Sequence, residues 1–217
     1  GNYAEGRLTY GSFNTTELQG AFGRESGGFA QNYFVSKQDS DGYREHSKSE
    51  KYSLGGKWFY TTDDGKLKAG VMARAYNHEA ESAGYLTAGE LAADRFQSPA
   101  KNANDHDNRD MQQLSHLDFQ ISETLRYSSK LYYNAIMDER HVTYNAAAGN
   151  GARQRRLWDE EQFGWINNLT WRINPLITLD GGLNYEHQDN RYRRYRYALA
   201  VPTNFSTPTV ISNDENY

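Results

Sequence analysis

The sequence contains no cysteine and no long hydrophobic run. A membrane-spanning helix needs about 20 consecutive apolar residues, and the chain, with a mean hydropathy of −0.94, offers none. A helical membrane protein is therefore excluded. The absence of cysteine agrees with a protein that faces the periplasm or lies in the outer membrane and avoids stray disulfides.

The chain also lacks a net positive charge, because 24 Lys and Arg stand against 28 Asp and Glu and give a net charge of −4. This balance argues against general nucleic-acid binding. The catalytic motifs G-x-S-x-G, H-E-x-x-H and C-x-x-C are missing as well. We predict that the chain is not an enzyme, has no catalytic residue and holds no cofactor.

Two polar clusters deserve a separate interpretation. His116 and Asp118 share one face of a predicted strand, where polar residues that line a lumen explain them better than a hydrolase site. Residues 104–110 space their oxygen ligands closely, as a calcium loop does, but they lack the glycine and distal glutamate of an EF-hand, and Arg109 opposes a cation. We interpret them as a solvated loop and predict no metal site.

Strict alternation of apolar and polar side chains is what the sequence does have. In Leu67–Tyr76 every second residue is apolar, and Leu125–Met137 and Ile177–Tyr185 repeat the pattern. A β-strand places successive side chains on opposite faces, so each segment has one apolar and one polar face. Such segments, separated by turns, are typical of a transmembrane β-barrel. We predict an all-β, antiparallel fold.

Nine strands are predicted, and the connections between them alternate in length. The strands are Tyr3–Tyr10, Thr15–Gly23, Gly28–Lys37, Lys51–Thr61, Lys66–Asn77, Met111–Ser122, Thr124–Met137, Glu161–Arg172 and Leu176–Gln188. Apart from the first connection, the long and charged ones are Gln38–Glu50, His78–Asp110, Asp138–Glu160 and the segment from Asp189 onward. We expect the short turns at the periplasmic end and the long loops at the extracellular end.

A soluble barrel or sandwich also has alternating strands, and two features argue against it. Trp58, Tyr60, Trp165 and Trp171 are predicted near strand ends, where a membrane barrel has its aromatic girdles. A loop as long as His78–Asp110 is unusual in a compact domain. We therefore favour the membrane barrel.

Several short motifs resemble the start of the barrel of TonB-dependent outer-membrane receptors, which import ferric siderophores and related scarce nutrients. The most specific is Gln38-Asp39-Ser40-Asp41-Gly42-Tyr43-Arg44-Glu45, which is similar to a loop opening frequent in that family. Weaker resemblances are Tyr10-Gly11-Ser12-Phe13, Gly84-Tyr85-Leu86-Thr87 and Leu131-Tyr132-Tyr133-Asn134.

The resemblance implies a 22-stranded barrel filled by an N-terminal plug that carries a TonB-contacting box. We expect residues 1–217 to be a fragment of the barrel domain, since no plug, TonB box or closing aromatic strand is visible in them. The implied partners are a metal-siderophore ligand, TonB-ExbB-ExbD through the plug, and outer-membrane lipid and lipopolysaccharide. The implied location is the bacterial outer membrane.

Two basic runs in the predicted loops are the candidate ligand contacts: Arg153, Arg155 and Arg156, and then Arg191, Tyr192, Arg193 and Arg194. Guanidinium groups pair with carboxylate or catecholate oxygens, and tyrosine rings stack on planar ligands. The alternatives are contact with lipopolysaccharide, or a continuation of the ninth strand.

Three hypotheses follow for the function. The first is a receptor for TonB-dependent uptake of a metal chelate, and the resemblance implies that the chelate is a ferric siderophore. The second is a passive porin or substrate-specific channel, which predicts an open lumen and no dependence on TonB. The third is a barrel enzyme or a soluble β-rich binding module, which needs a preassembled pocket within these residues.

Overall fold

The computed structural model describes the backbone of residues 1–99, 106–120, 122–143, 152–198, 209–210 and 215–216, and the side chains of residues 1–99, 122–143 and 154–195. Among these residues, no helix is both long and apolar enough to cross a membrane. The described chain is almost entirely β-structure and forms one antiparallel sheet that does not close on itself.

The sheet follows the order of the chain from β1 to β10, and β11 also pairs with β9. Its long strands are β1 (Tyr3–Tyr10), β2 (Thr16–Ser26), β3 (Phe29–Ser40), β4 (Ser49–Thr61), β5 (Leu67–Glu81), β6 (His106–Gln120), β7 (Leu125–Thr143), β8 (Ala152–Asn174) and β9 (Ile177–Ala198). One short helix, α1 (Ala88–Ala93), lies between β5 and β6, and the two-residue strands β10 (Thr209–Val210) and β11 (Glu215–Asn216) follow β9.

All nine predicted strands are confirmed. At the edge of the sheet where the chain turns tightly, each observed strand boundary lies within a few residues of the predicted one. We call this edge the turn end; its described connections are residues 27–28, 62–66, 122–124 and 175–176. The opposite edge, the loop end, carries residues 11–15, 41–48 and 82–99 among the described residues. The predicted turn around Gly65 is also confirmed, with φ of 68° at that residue and a hydrogen bond from its N–H to the Thr62 carbonyl.

The long loops are shorter in the structure than predicted. Strands β7, β8 and β9 continue well past the predicted boundaries toward the loop end, and β6 begins at His106, so residues 106–110 belong to a strand and not to a solvated loop. Residues 104 and 105 lie outside the described residues. The two short strands after β9 were not predicted.

The register separates the sheet into an apolar and a polar face. One row of directly opposed residues consists of Val35, Leu54 and Ala75. The next row toward the loop end consists of Lys37, Tyr52 and Asn77. In β3, the distance from Phe29 to Lys37 along the strand is about 27 Å at 3.4 Å per residue, close to the roughly 25 Å band of an outer-membrane barrel. Lys37 is the first charged residue of β3 on this face.

The sheet has no apolar interior. Leu157 is the only buried hydrophobic side chain among the described residues, and many large ones are exposed, including Leu8, Leu18, Val35, Leu54, Val71, Leu131, Met137, Leu183 and Tyr185. A water-soluble domain buries such side chains to offset its loss of conformational entropy. The exposed apolar face therefore needs an apolar environment.

Of the predicted girdle positions, Trp58 and Tyr60 lie at the turn end of β4 and Trp171 lies near the turn end of β8. Trp165 was placed wrongly, because β8 is 23 residues long and Trp165 lies in its interior. Its indole N–H donates to the Ser129 hydroxyl at 2.8 Å, and Ser129 in turn donates to the Asn167 side-chain oxygen at 3.1 Å. Polar atoms in the apolar band are thus paired with one another, as an apolar solvent requires.

Candidate functional site

The predicted ligand contacts lie in strands, so their assignment to loops was wrong. Arg153, Arg155 and Arg156 belong to β8, while Arg191, Tyr192, Arg193 and Arg194 belong to β9. The register pairs Arg155 with Tyr195, Arg156 with Arg194, and Leu157 with Arg193. Of Arg153 only the backbone is described, opposite Tyr197. The alternative that β9 continues through its Arg and Tyr residues is confirmed.

The structure divides these residues between the two faces. Arg155, Arg191 and Arg193 fall in the rows that continue the apolar face, beyond its band at the loop end. Arg156, Tyr192 and Arg194 fall on the polar face. Alternation along a strand makes this division unavoidable, and one ligand therefore cannot contact the whole set from one side of the sheet.

On the apolar side, two of the three arginines are paired with acids. Arg155 donates from Nε and Nη2 to the two carboxylate oxygens of Glu139, at 2.7 and 3.2 Å, and His141 Nε2 lies 2.7 Å from Glu139 Oε1. Burial disfavours the charged form of Glu139, but these hydrogen bonds outweigh it and lower the pKa of its carboxyl. Arg193 forms an ion pair with Asp159.

A groove of about 1140 Å³ lies beside these pairs, and it is lined by both apolar and charged residues. Its apolar residues include Val35, Leu54, Ala75, Met137 and Leu157. Its charged residues are Glu139, Arg155, Asp159, Glu160, Glu161, Arg191 and Arg193. This arrangement suits the boundary between an apolar band and a polar headgroup layer.

On the polar side, the arginines lie next to aromatic rings. Arg140, Arg156 and Arg194 are directly opposed across β7, β8 and β9; we call them the arginine row. Trp158 and Tyr192 follow in the next row, with ring centroids 4.8 Å apart. The Arg140 guanidinium lies 5.4 Å from the Trp158 ring and donates to both carboxylate oxygens of Asp138, at 3.2 and 3.0 Å.

Sequence reasoning missed Arg140, which lay within a segment predicted to be a loop. Only the register across three strands shows that it opposes Arg156, and no local motif marks it. Among the described residues, no group of three or more His, Cys, Asp or Glu is placed to hold a metal ion. The backbones of His116 and Asp118 lie in β6, but their side chains are outside the described residues.

The loop end also carries a packed pair of loops, residues 41–48 and 82–99. Arg44 holds them together by donating to the carbonyl oxygens of Ala83 at 3.3 Å, Gly84 at 2.7 Å and Gln97 at 2.7 and 3.1 Å. Tyr43 packs against Phe13 and Phe96, with centroids 5.5 and 5.1 Å apart. The family-like motif thus contains the residues that join neighbouring loops.

No family model matches the chain, and no curated protein matches it by sequence. Solved structures do match. The unliganded ferric citrate transporter FecA has a TM-score of 0.66 at 19% identity, over 98% of this chain and 32% of its own. The siderophore receptor PiuA from Acinetobacter baumannii has a TM-score of 0.71 at 11% identity, over 90% of this chain and 31% of its own.

The pyoverdine outer membrane receptor FpvA from Pseudomonas aeruginosa PAO1, bound to pyoverdine, has a TM-score of 0.70 at 11% identity, over 98% of this chain and 33% of its own. The chain spans about a third of the length of these structures. The comparisons confirm the predicted fold class, an antiparallel sheet similar to a stretch of outer-membrane β-barrel wall. In such a barrel the polar face lines the lumen and the apolar face contacts lipid.

Proposed function

We propose that this chain is part of the barrel of a TonB-dependent outer-membrane receptor that imports a metal chelate of the ferric siderophore class. The observation that carries the proposal is the sheet itself. It matches transporters and receptors over nearly its whole length, and it presents cations and aromatic rings on its polar face at the loop end. The remaining strands and the plug belong to the full-length protein.

The two faces take different partners in this proposal. Arg156, Tyr192 and Arg194 on the polar face contact the chelate as it enters the lumen. Arg155, Arg191 and Arg193 lie on the lipid side, next to anionic lipopolysaccharide headgroups, and Arg155 and Arg193 keep their ion pairs with Glu139 and Asp159 there. Guanidinium groups recognise carboxylate and phosphate oxygens in both settings.

The protein performs no bond chemistry in this scheme. Loop and lumen side chains bind the chelate, and TonB-ExbB-ExbD drives a rearrangement of the plug that lets the chelate pass. Side chains in residues 1–217 therefore contribute to selectivity together with those of the remaining strands, whereas energy coupling depends on the plug.

Uptake of radiolabelled ferric complexes by cells that express the full-length protein, with and without TonB, tests the proposal. We expect saturable binding in both strains and uptake in the TonB-positive strain alone. Entry without TonB would instead support the passive channel. Absence of both binding and uptake across hydroxamate, catecholate and hydroxycarboxylate complexes would contradict a chelate receptor.

A further inference from the structure

The apolar face carries a cavity of about 510 Å³ toward the turn end of β7, β8 and β9. Six side chains of this face line it: Tyr127, Asn167, Leu169, Trp171, Leu179 and Leu183. They belong to three successive rows, which span about 14 Å along the strands at 3.4 Å per residue. Short turns lie at the periplasmic end of an outer-membrane barrel, so the cavity lies toward the periplasmic side of the apolar band.

Gly181 forms the floor of the cavity. It occupies the middle row, directly opposite Leu169, and a Cβ at this position would meet nothing within 4 Å. Its φ is not positive, and the pairing of β8 with β9 shifts register only between Arg172 and Asn174. Glycine weakens the interior of a strand, and it often marks a bulge, a bend or the close approach of a ligand. Because there is no bulge at Gly181, the open space above it favours a molecule that approaches the backbone.

Apolar side chains project on both sides of this floor. Leu179 is 52% exposed and Leu183 is 79% exposed. The core of a bilayer contains no water that could fill the space between them, and an empty space leaves its lining without contacts on one side. A flexible hydrocarbon chain can enter the slot between the two leucines. The same leucines keep the flat wall of a second barrel away from the backbone of Gly181.

The polar atoms at the inner end of the cavity are paired with one another. The Tyr127 hydroxyl donates to the Asn167 side-chain oxygen at 2.5 Å, and Asn167 Nδ2 donates to the Leu183 carbonyl at 3.4 Å. Association of proteins within a membrane depends on close packing of small residues and on polar contacts between the partners. Polar atoms that are already paired therefore favour a hydrocarbon occupant over a second protein.

We propose that this cavity binds one acyl chain of a glycerophospholipid from the periplasmic leaflet, with the chain lying over Gly181 between Leu179 and Leu183. The inference goes beyond the proposed function, because it depends on the contact of the apolar face with lipid and not on the chelate. A chain in the slot has protein contacts on three sides, whereas a chain on the rest of the wall has them on one. The bound lipid is therefore retained in detergent longer than the surrounding lipid.

Native mass spectrometry of the full-length protein, delipidated in detergent, tests the site. The probe is palmitoyl-oleoyl phosphatidylethanolamine. Dihexanoyl phosphatidylethanolamine has the same headgroup on short chains and separates recognition of the chain from recognition of the headgroup. The variant Gly181→Phe fills the cavity with a ring. Its control is Val71→Phe, which adds a ring at an exposed position of the same face in β5, outside the cavity.

We expect the wild type to bind one palmitoyl-oleoyl lipid, and Gly181→Phe to raise the Kd by about fivefold or more because the ring takes the place of the chain. Val71→Phe should match the wild type. The dihexanoyl lipid should bind the wild type and Gly181→Phe equally weakly. Leu183→Ala removes one wall without filling the cavity and should also raise the Kd; it decides the question if Gly181→Phe melts at a lower temperature than the wild type.

Equal Kd values for the wild type and both cavity variants would overturn the inference, and so would equal weakening by Val71→Phe. Tight binding of the dihexanoyl lipid would overturn it in favour of a headgroup site. A dimer of the wild type that Gly181→Phe dissociates in the same spectra would assign the cavity to a second copy of the protein. None of these results depends on TonB or on a chelate, so the proposed function is tested separately.

Discussion

Position 164 requires glycine because the ring of Tyr132 lies directly over it. A Cβ at this position would overlap the ring and hydroxyl of Tyr132, the residue directly opposite in β7. The Tyr132 hydroxyl also donates to Glu186, so the ring cannot move aside without losing this bond. Glycine is therefore required by close cross-strand packing and not by a positive φ.

We predict that Gly164→Ala lowers the free energy of unfolding of the full-length protein by about 1–3 kcal/mol, the usual cost of overpacking. Gly181→Ala is the matched control, because a Cβ at Gly181 meets nothing within 4 Å. Denaturant unfolding in detergent micelles, monitored by tryptophan fluorescence, measures both. Equal stability of the two variants would show that Tyr132 does not pack against Gly164.

Glu139 gives the protein a pH-dependent contribution to stability at the loop end. Its pKa lies below the ordinary value of 4.5, because hydrogen bonds from Arg155 and His141 outweigh the effect of burial. A carboxyl with a lowered pKa in the folded state stabilises the fold above the unfolded-state pKa, and this contribution is lost as the pH falls through the folded-state pKa.

We predict that Glu139→Gln costs about 1–2 kcal/mol at pH 7, and that the difference from the wild type shrinks below about pH 4. Unfolding curves at pH 7 and pH 3.5 measure this difference. Glu161→Gln removes an exposed carboxylate from the same face and should show little difference at either pH. A Glu139→Gln cost that persists at pH 3.5 would contradict the charge-based explanation.

Among the elements, the paired loops 41–48 and 82–99 depend most on one side chain. Arg44 donates four hydrogen bonds to three carbonyls of the second loop. A hydrogen bond from a charged group contributes about 1.5–3 kcal/mol to stability. The helix α1 within this loop has a capping box, Thr87 with Glu90, but no buried residue of its own.

We predict that Arg44→Ala raises amide hydrogen exchange in residues 41–48 and 82–99 by about tenfold or more, while exchange in the strands is unchanged. Arg24→Ala, in β2 near the turn end, is the control and should leave both loops protected. Faster exchange throughout the sheet would mean that Arg44 stabilises the whole fold instead of the loop pair.

The strands that sequence reasoning found are those inside the apolar band, and the parts it missed lie outside the band. Val35, Leu54 and Met137 alternate with polar residues, so their segments were recognised. Beyond them, as in Asp138–Thr143, both faces carry mainly polar residues and alternation disappears, yet the backbone ladder continues. Backbone hydrogen bonds extend these strands, and the hydropathy pattern of the sequence does not show where such bonds form.

The candidate site was predicted in composition but not in arrangement. Arg156 and Arg194 were recognised as parts of basic runs, whereas their opposition across β8 and β9, and the participation of Arg140, depend on register. Register is set by long-range pairing of strands. A single sequence without strand boundaries at the loop end therefore could not separate the lipid-side arginines from the lumen-side ones.

At the scale of the molecule, the described sheet has two features that are unfavourable in water, an open edge and an exposed apolar face. Strand β1 pairs with β2 alone among the described strands, so one of its edges presents unpaired backbone groups. The apolar face exposes large side chains across the sheet, with Leu8 at 73% and Leu183 at 79% exposure. Open edges and apolar surface both promote aggregation.

We predict that residues 1–217 expressed alone aggregate in aqueous buffer, whereas the full-length protein folds in detergent to a form whose gel mobility changes on heating. Sedimentation and electrophoresis of heated and unheated samples measure both. A soluble, monomeric fragment with native β-structure in water would contradict the assignment of the apolar face to lipid and would favour the soluble binding module.

The most direct measurement of the account is the sidedness of the two ends in intact cells. Single cysteines placed at Ala88 in α1 and at Asp63 in the β4–β5 turn, both exposed, report the loop end and the turn end of the full-length protein. A membrane-impermeant maleimide, with the unmodified protein as background, should label the Ala88→Cys variant on intact cells and the Asp63→Cys variant only after the outer membrane is permeabilised. Labelling of the Asp63 position alone on intact cells, or equal labelling of both, would contradict a barrel wall with its loops outside.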